Sequence, residues 1–579
     1  MSLSKNFPTV FPSLLLDFAK VRRLDPRITF TRATPGTYYD GTTSVKAEEN
    51  LLINSVLAGA VAGTPGTAPT SWSFSASGGS VVSVSVGTDG VSNVLTLSAT
   101  VARQVLDQSF SATSNTVFIG QVTIVSNPNS LVFNQLFLLL NLPVGSTVVY
   151  KSNGVVVDST TFVPLPNSLL TIELTIGGTN GTPSFRIAVG ASATATGSAG
   201  FTRPQLEQRN TVTAYIPTTT QAIANYIPVL LTAPAGTARF DANPVTGQSL
   251  GLLIEEARIN LTTYSAEVGG TNWSLQAGVT STLNSTIAPN GTQTASLLTC
   301  TNTNTGTFQS PSLAAGTYSM SVYVKKGTGS IVVLGIVNVL DAINYNFDTG
   351  VIGGLAASTA SATNVGNGWI RLAFSAACSA GNFGPIIKSN SAGQTVFVWG
   401  VQFELGAFAT TYIATVATTQ ARNADLAVMT GTNFTSWYNP NQGTFYINYV
   451  ERALSAAHQL TYTVLSSDSS NRINIGVNNV NVLDGQIVVD GVDNFTGDTP
   501  TLTAQRYQII MAYATNNAGI SANASAVNTD IIVTLPLNLN QFAIGATTGA
   551  SQCLNSTIAK IAYYDSRLVN SQLQALTRS

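Results

Sequence analysis

A chain of 579 residues is too long for one hydrophobic core, and its length sets an expectation of roughly three or four domains. Only 9% of the residues are charged and the net charge is −1, against about 25% charged residues in an ordinary soluble domain. That balance excludes a charge-rich disordered chain and a strongly basic nucleic-acid-binding surface, and it leaves little charge to keep a lone monomer in solution.

In chain order, the first 46 residues carry a local basic bias: Lys20, Arg22, Arg23, Arg27 and Arg32, diluted by Asp17 and Asp25. The N-terminus lacks the ordered zones of a secretory signal. The densest apolar run, "LVFNQLFLLLNL" (131–142), is broken by Asn134 and Gln135 and falls short of the roughly 20 apolar residues of a spanning helix. No membrane insertion is expected. Most of the chain beyond residue 46 consists of short runs with period-two alternation, set between Gly, Pro, Asn and Ser. "TYSMSVYVKK" (317–326) sets Tyr318, Met320, Val322 and Val324 on one face, and "TVFVWGVQFEL" (395–405) does the same with Phe397, Trp399, Val401, Phe403 and Leu405. These are antiparallel strands with one buried side, and many of them at short spacing predict an all-β chain of sandwiches, jelly rolls or barrels.

Two phrases mark an internal repeat. "VKAEENLLINS" (45–55) is followed by "TSWSFSASGG", and "LGLLIEEARINLTTYS" (250–265) by "TNWSLQAG". The units also end alike, in "TRPQLEQRNTVTAYIP" (202–217) and "VWGVQFELGAFATTYIA" (398–414). Trp72 to Glu207 is 135 residues and Trp273 to Glu404 is 131, by subtraction of the positions. Two anchors at nearly equal separation predict tandem copies of one domain. The expected boundaries are 1–46 for an N-terminal segment, 47–227 for the first copy, 228–253 for a linker hairpin, 254–423 for the second copy and 424–579 for a third β-sandwich. The last ends in a short helix capped by Asn570, with Leu573 and Leu576 on one face.

The chemistry on offer is thin. His458 is the single histidine, and Cys300, Cys378 and Cys553 stand far apart, so neither a catalytic triad nor a zinc site is expected. The thiols are read as buried residues of a protein made in a reducing compartment. Glycoside cleavage needs two facing carboxylates. Glu48 and Glu49, or Glu255 and Glu256, are neighbours on a strand and point to opposite sides, while Glu207 and Glu404 hold equivalent places in two copies, as structural residues do. No catalytic residues are assigned. The two Glu-Glu pairs, each near an Arg such as Arg258, are read as structural clasps at the entry to each copy. Asp490, Asp493 and Asp498 are read as a solvated turn, with calcium as the alternative; no metal or cofactor is assigned. Trp72, Trp273, Trp437 and Tyr438 are the candidate platforms for a sugar ring, weighed against core packing.

Three stretches, 11–41, 238–261 and 560–577, together resemble tailed-bacteriophage virion proteins described as head fibre, head spike or tail fibre proteins. The two copies resemble carbohydrate-binding-module jelly rolls, and the third domain a concanavalin or laminin-G-like sandwich. The resemblance implies a virion structural protein assembled in the bacterial cytoplasm and projecting from the particle. Capsid or tail proteins, other copies in a homotrimer and host-surface polysaccharide would be its partners. Segment 1–46 would attach it to the virion through Arg22, Arg23, Arg27 and Arg32. A tail fibre adhesin and a polysaccharide-degrading tailspike are the alternatives to a head fibre or capsid decoration.

Overall fold

The computed structural model describes residues 11–76, 83–100, 102–190, 196–340, 342–450, 460–477, 482–501, 506–547 and 553–578. The chain is all-β, built of antiparallel sheets. It divides into two compact units: one spans 46–226, and the other takes in the described residues before 46 and after 226. Strands Gly36–Asn50 and Ile223–Ala233, which pair as a two-stranded sheet, carry the chain across that division.

The 46–226 unit is a jelly-roll sandwich. One sheet runs, in spatial order, Val155–Val156, Thr147–Ser152, Ser168–Thr175, Val117–Ser126, Gly197–Glu207, Asn93–Ala99 and Ser83–Thr88. The other runs Ser73–Ala76, Gln104–Ser109, Ser184–Val189 and Phe137–Leu140. Alternation fills the space between them. Phe118, Val122, Leu170, Ile172 and Leu174 point in from one sheet, and Leu106, Phe137, Phe185 and Ile187 from the other.

The second copy repeats this strand order. Ser361–Gly366, Trp369–Cys378, Gly316–Lys326, Gln394–Leu405, Ala295–Cys300 and Val279–Thr286 form one sheet. Its facing sheet begins Ser274–Leu275, Gly306–Phe308, Pro385–Ser389 and Ile331–Ile336. The register fixes the equivalences. Glu207 lies opposite Ile119 and Glu404 opposite Ser319; Gln205 lies opposite Gln121 and Gln402 opposite Ser321.

The third sandwich departs from the expected layout. It is not made from 424–579 alone. Its larger sheet takes the hairpin Arg239–Ala242 and Ser249–Ile254, expected as part of a linker, and strand Leu14–Asp17 from the N-terminal segment. Both pair along one edge of Ser556–Tyr564, Leu14–Asp17 with residues 560–563 and the hairpin with residues 556–558. Its smaller sheet begins with Thr29–Thr31 against Leu426–Thr430. Leu14, Leu16 and Phe18 are buried in the core of this sandwich. The described part of segment 1–46 is therefore integral to the fold. Alternation marks a strand but not its partner, which is why residues 1–46 read as an attachment segment and 228–253 as a linker hairpin.

The closing helix spans Asn570–Leu576, with Val569 rather than Asn570 at the cap position; Gln572 accepts from the Val569 amide, and the Asn570 side chain accepts from Arg567 instead. No helix among the described residues is long and apolar enough to cross a membrane.

Candidate functional site

The repeated phrases encode one hydrogen-bond pattern, used twice. Asn50 donates to the Ile216 carbonyl at 2.9 Å, and Asn260 to the Ile413 carbonyl at 2.8 Å. Their side-chain oxygens accept from the Leu206 and Phe403 amides. Thr218 and Thr415 donate to the Leu52 and Thr262 carbonyls, each at 2.6 Å. Ser55 pairs with the Tyr215 hydroxyl, and Ser265 with that of Tyr412. Glu207 accepts from the Thr213 amide and hydroxyl, and Glu404 from those of Thr410. Each glutamate is fully buried and committed to closing its jelly roll onto its last segment. Burial pushes the Glu207 carboxyl above its ordinary value, against the hydrogen bonds from Thr213 and the nearby Arg209.

The two Glu-Glu pairs are not equivalents. With Asn50 matched to Asn260, Glu48 and Glu49 stand in register with Arg258 and Ile259. Glu49 bonds Lys46 and the Gln208 amide, and Glu48 accepts from Asn225. Glu255 instead joins a buried ionic cluster with Arg32, Arg239, Arg422 and Asp425. Arg239 bridges Glu255 at 2.8 Å and Asp425 at 2.5 Å; Arg32 reaches Asp425 at 2.9 Å and Arg422 reaches Glu255 at 3.0 Å. The two arginines hold the Glu255 carboxyl well below its ordinary value despite burial, helped by two bonds from Thr411. Glu256 accepts from Arg258 and Asn555.

Three of the four expected aromatic platforms are inside, and Tyr438 is partly buried against the core. Trp72 and Trp273 are each 7% exposed, and their indole N–H groups donate to the Asn54 and Tyr264 carbonyls. Trp437 is buried among Phe434, Phe542 and Tyr563, and Tyr438 stacks on Phe434 at 4.7 Å. None of the three tryptophans offers a free ring face, because each is at most 7% exposed. Of the four N-terminal arginines, Arg32 is 2% exposed and spent on the ionic cluster. Arg27 forks onto Asp25, Arg22 donates to the Asp40 carbonyl, and Arg23 is exposed. His458 lies outside the described residues. Asp490 sits in the turn between Val482–Val489 and Val492–Thr501, and among the described residues no three His, Cys, Asp or Glu are placed to hold a metal. Cys300, Cys378 and Cys553 are buried thiols outside any disulfide.

An open groove lies elsewhere, on the outer face of the first jelly roll's larger sheet. Leu170, Ile172 and Leu174 face the core, so Leu169, Thr171 and Glu173 face outward. With Ile119 and Lys151 they floor a concavity of about 310 Å³, rimmed by Asn210, Thr211 and Val212. Lys151 and Glu173, each a quarter exposed, pair across it at 2.8 Å. A cation and a carboxylate side by side in a trough otherwise lined mainly by apolar atoms present donors and acceptors together, the complement of adjacent hydroxyl groups. Sequence reasoning missed this site. Its residues are ordinary strand positions, and only the pairing of Thr147–Ser152 with Ser168–Thr175 brings Lys151 to Glu173.

The same face of the second copy is closed. Register places Ser361 and Ser375 where the first copy has Lys151 and Glu173. Tyr323, Trp399 and Tyr412 pack together there, with ring centroids 4.8 to 6.3 Å apart, and Arg371 lies over Tyr323. The chain covers them itself: Thr37 donates to the Tyr412 carbonyl and the Leu230 amide to that of Pro289.

No protein-family model matches this chain, and no curated protein does. Among solved structures it is similar to the CBM40 of Ruminococcus gnavus IT-sialidase bound to alpha2,3 sialyllactose, at 15% identity over 25% of this chain and 88% of that one, TM-score 0.22. It is also similar to the N-terminal CBM22-1-CBM22-2 tandem domain from Paenibacillus barcinonensis Xyn10C, at 14% identity over 63% and 100%, TM-score 0.18. A third likeness is to domains LG4-5 of the mouse laminin alpha1 chain, at 7% identity over 53% and 92%, TM-score 0.18. The β-sandwich class follows from the sheets themselves.

Proposed function

We propose that this is a non-enzymatic glycan-binding adhesin, a bacteriophage head fibre, spike or capsid decoration that grips host-surface glycans through its first jelly roll. The observation that carries the binding half is the contrast between copies. Two jelly rolls share one strand order and one closing hydrogen-bond pattern, yet one outer face is packed with the chain's own aromatic rings and the other is an open groove, mainly apolar in its lining, beside a Lys151–Glu173 pair. A scaffold repeated for spacing alone has no need of the difference. The virion half rests on the resemblance of residues 11–41, 238–261 and 560–577 to phage virion proteins. The candidate carboxylates Glu207, Glu255 and Glu404 are spent on threonine and arginine partners, which supports a binding role rather than hydrolysis.

The test is a glycan array probed with the full chain. Retention of a glycan without release of reducing ends, and at least tenfold weaker retention by Lys151→Ala, is the expected result. An undiminished Lys151→Ala protein moves the site elsewhere, and cleavage of the bound glycan makes the protein an enzyme. For the virion half, gold-tagged antibody against the C-terminal sandwich is expected to label particles over the head. Label on the tail makes it a tail fibre.

A further inference from the structure

A single backbone position separates the two outer faces further. Gly400, in the Gln394–Leu405 strand, has φ +63°, and a Cβ built there would stand 3.0 Å from the Tyr323 ring and 3.5 Å from that of Tyr412. Glycine is favoured by both the conformation and the crowding. The register makes Arg203 its equivalent: Thr202 pairs with Thr123 just before a bulge, as Trp399 pairs with Tyr323. Arg203 keeps the left-handed backbone, at φ +54°, without being glycine. By that equivalence we infer that its Cβ points over Thr123 and Tyr215, where the second copy has Tyr323 and Tyr412.

A non-glycine, non-Asn residue in that conformation is uncommon and carries a cost that glycine would not. The arginine is also held. Asp89 accepts from Arg203 Nε at 2.6 Å and from the Thr202 hydroxyl, while its other oxygen accepts from the Val91 and Ser92 amides of its own turn. The Arg203 side chain is 39% exposed while its Nε is tied to Asp89. Replacing Tyr323 and Trp399 by Thr123 and Thr202 leaves this end of the face polar.

We propose that Arg203 is a ligand-reading residue, and that the face binds a neutral oligosaccharide lying across the strands from the Lys151–Glu173 pair to the Arg203–Asp89 pair. This rests on the glycan-binding reading of the groove. Three strand spacings of about 4.8 Å separate the two pairs, close to 14 Å, longer than one sugar ring. Each pair is electrically neutral; the Lys151–Glu173 pair offers donors and an acceptor side by side, whereas Asp89 is filled by its own partners and the second pair offers the donors of Arg203. The face thus suits a chain of hydroxyls and gives no net attraction to a polyanion. Asp89 acts as a positioning residue.

The experiment measures binding of the full chain to neutral mono- to hexasaccharides printed beside uronate- and sialate-bearing counterparts, with thermal unfolding of each variant. Neutral oligosaccharides are expected to be retained over their monosaccharides, and added salt to leave affinity within about twofold. Arg203→Gly, which restores the second copy's residue, is expected to weaken binding at least tenfold while the melting temperature holds or rises, because glycine removes that backbone cost. A fall in melting temperature would make Arg203 a structural tie to Asp89 and overturn the inference. So would full binding by Arg203→Gly, or a preference for the acidic glycans. If Lys151→Ala loses binding and Arg203→Gly does not, the groove reading stands and this inference falls. If no glycan binds the wild-type chain, both fall.

Discussion

Asp484 shows what burial does to a single carboxyl. It is 5% exposed and lies directly opposite Asp498 on the neighbouring strand, an arrangement of like charges that destabilises a sheet. Burial first, then Asp498 and Asp493, push its carboxyl up to about 6 from an ordinary 3.8, and Arg472 offsets only part of this. The folded state therefore holds a proton that the unfolded chain releases. Stability falls as pH rises from about 4 to about 6 and the full penalty remains above that, on the order of 2–3 kcal/mol. Asp484→Asn is expected to exceed the wild type in stability at about pH 7.5 and to match it near pH 4, as measured by urea unfolding. A constant difference between the two proteins across that range would exclude the proton. The buried arginine cluster behaves oppositely. Glu255 is held ionised by Arg422 and Arg239, so its contribution is lost only in strong acid, below the ordinary carboxylate range.

Among the elements, the strand Leu14–Asp17 is the one whose role differs most from its reading as part of an attachment arm. It completes an edge of Ser556–Tyr564, and Leu14, Leu16 and Phe18 are 1%, 3% and 1% exposed. Burial of three such side chains contributes about 5–9 kcal/mol. Deleting residues 1–18 is expected to lower the melting temperature steeply and to promote aggregation through the bared strand edge. A deleted protein that melts normally and merely fails to enter particles would make the segment an attachment arm after all. The ionic cluster works at the same scale. Arg32, Arg239, Glu255, Arg422 and Asp425 come from separate stretches of sequence, and their pairing fixes where those stretches meet. Removing one partner would strand a buried charge.

At the scale of the whole molecule, scarcity of charge is the governing fact. With 9% charged residues and a net charge of −1, electrostatic repulsion between copies is weak. Exposed apolar side chains such as Ile531, Ile532 and Leu537 remain on the C-terminal sandwich. As part of the virion reading, we expect a homotrimer. Sedimentation at three times the chain mass is the outcome that agrees; a single-chain mass at micromolar concentration would remove self-association from the reading. The 46–226 unit interrupts the other unit in sequence, so its groove can diverge without disturbing the core that residues 14–18 and 558–563 build together.

The sequence by itself determined the all-β class, because period two is a local property of each strand. It also determined the duplication, because the Asn50 and Asn260 phrases and the Glu207 and Glu404 phrases each recruit partners at matching spacings. Other features were decided only when strands from distant stretches met. Burial of Trp72 and Trp273, the entry of Glu255 into the buried ionic cluster and the capture of the N-terminal strands by the C-terminal sandwich are of this kind. So is the groove, where Lys151 meets Glu173, and so is the contrast between Arg203 and Gly400, visible only once bulge is laid on bulge. The physical reason is the same throughout: alternation tells which residues share a face, whereas what covers that face depends on pairing across the chain.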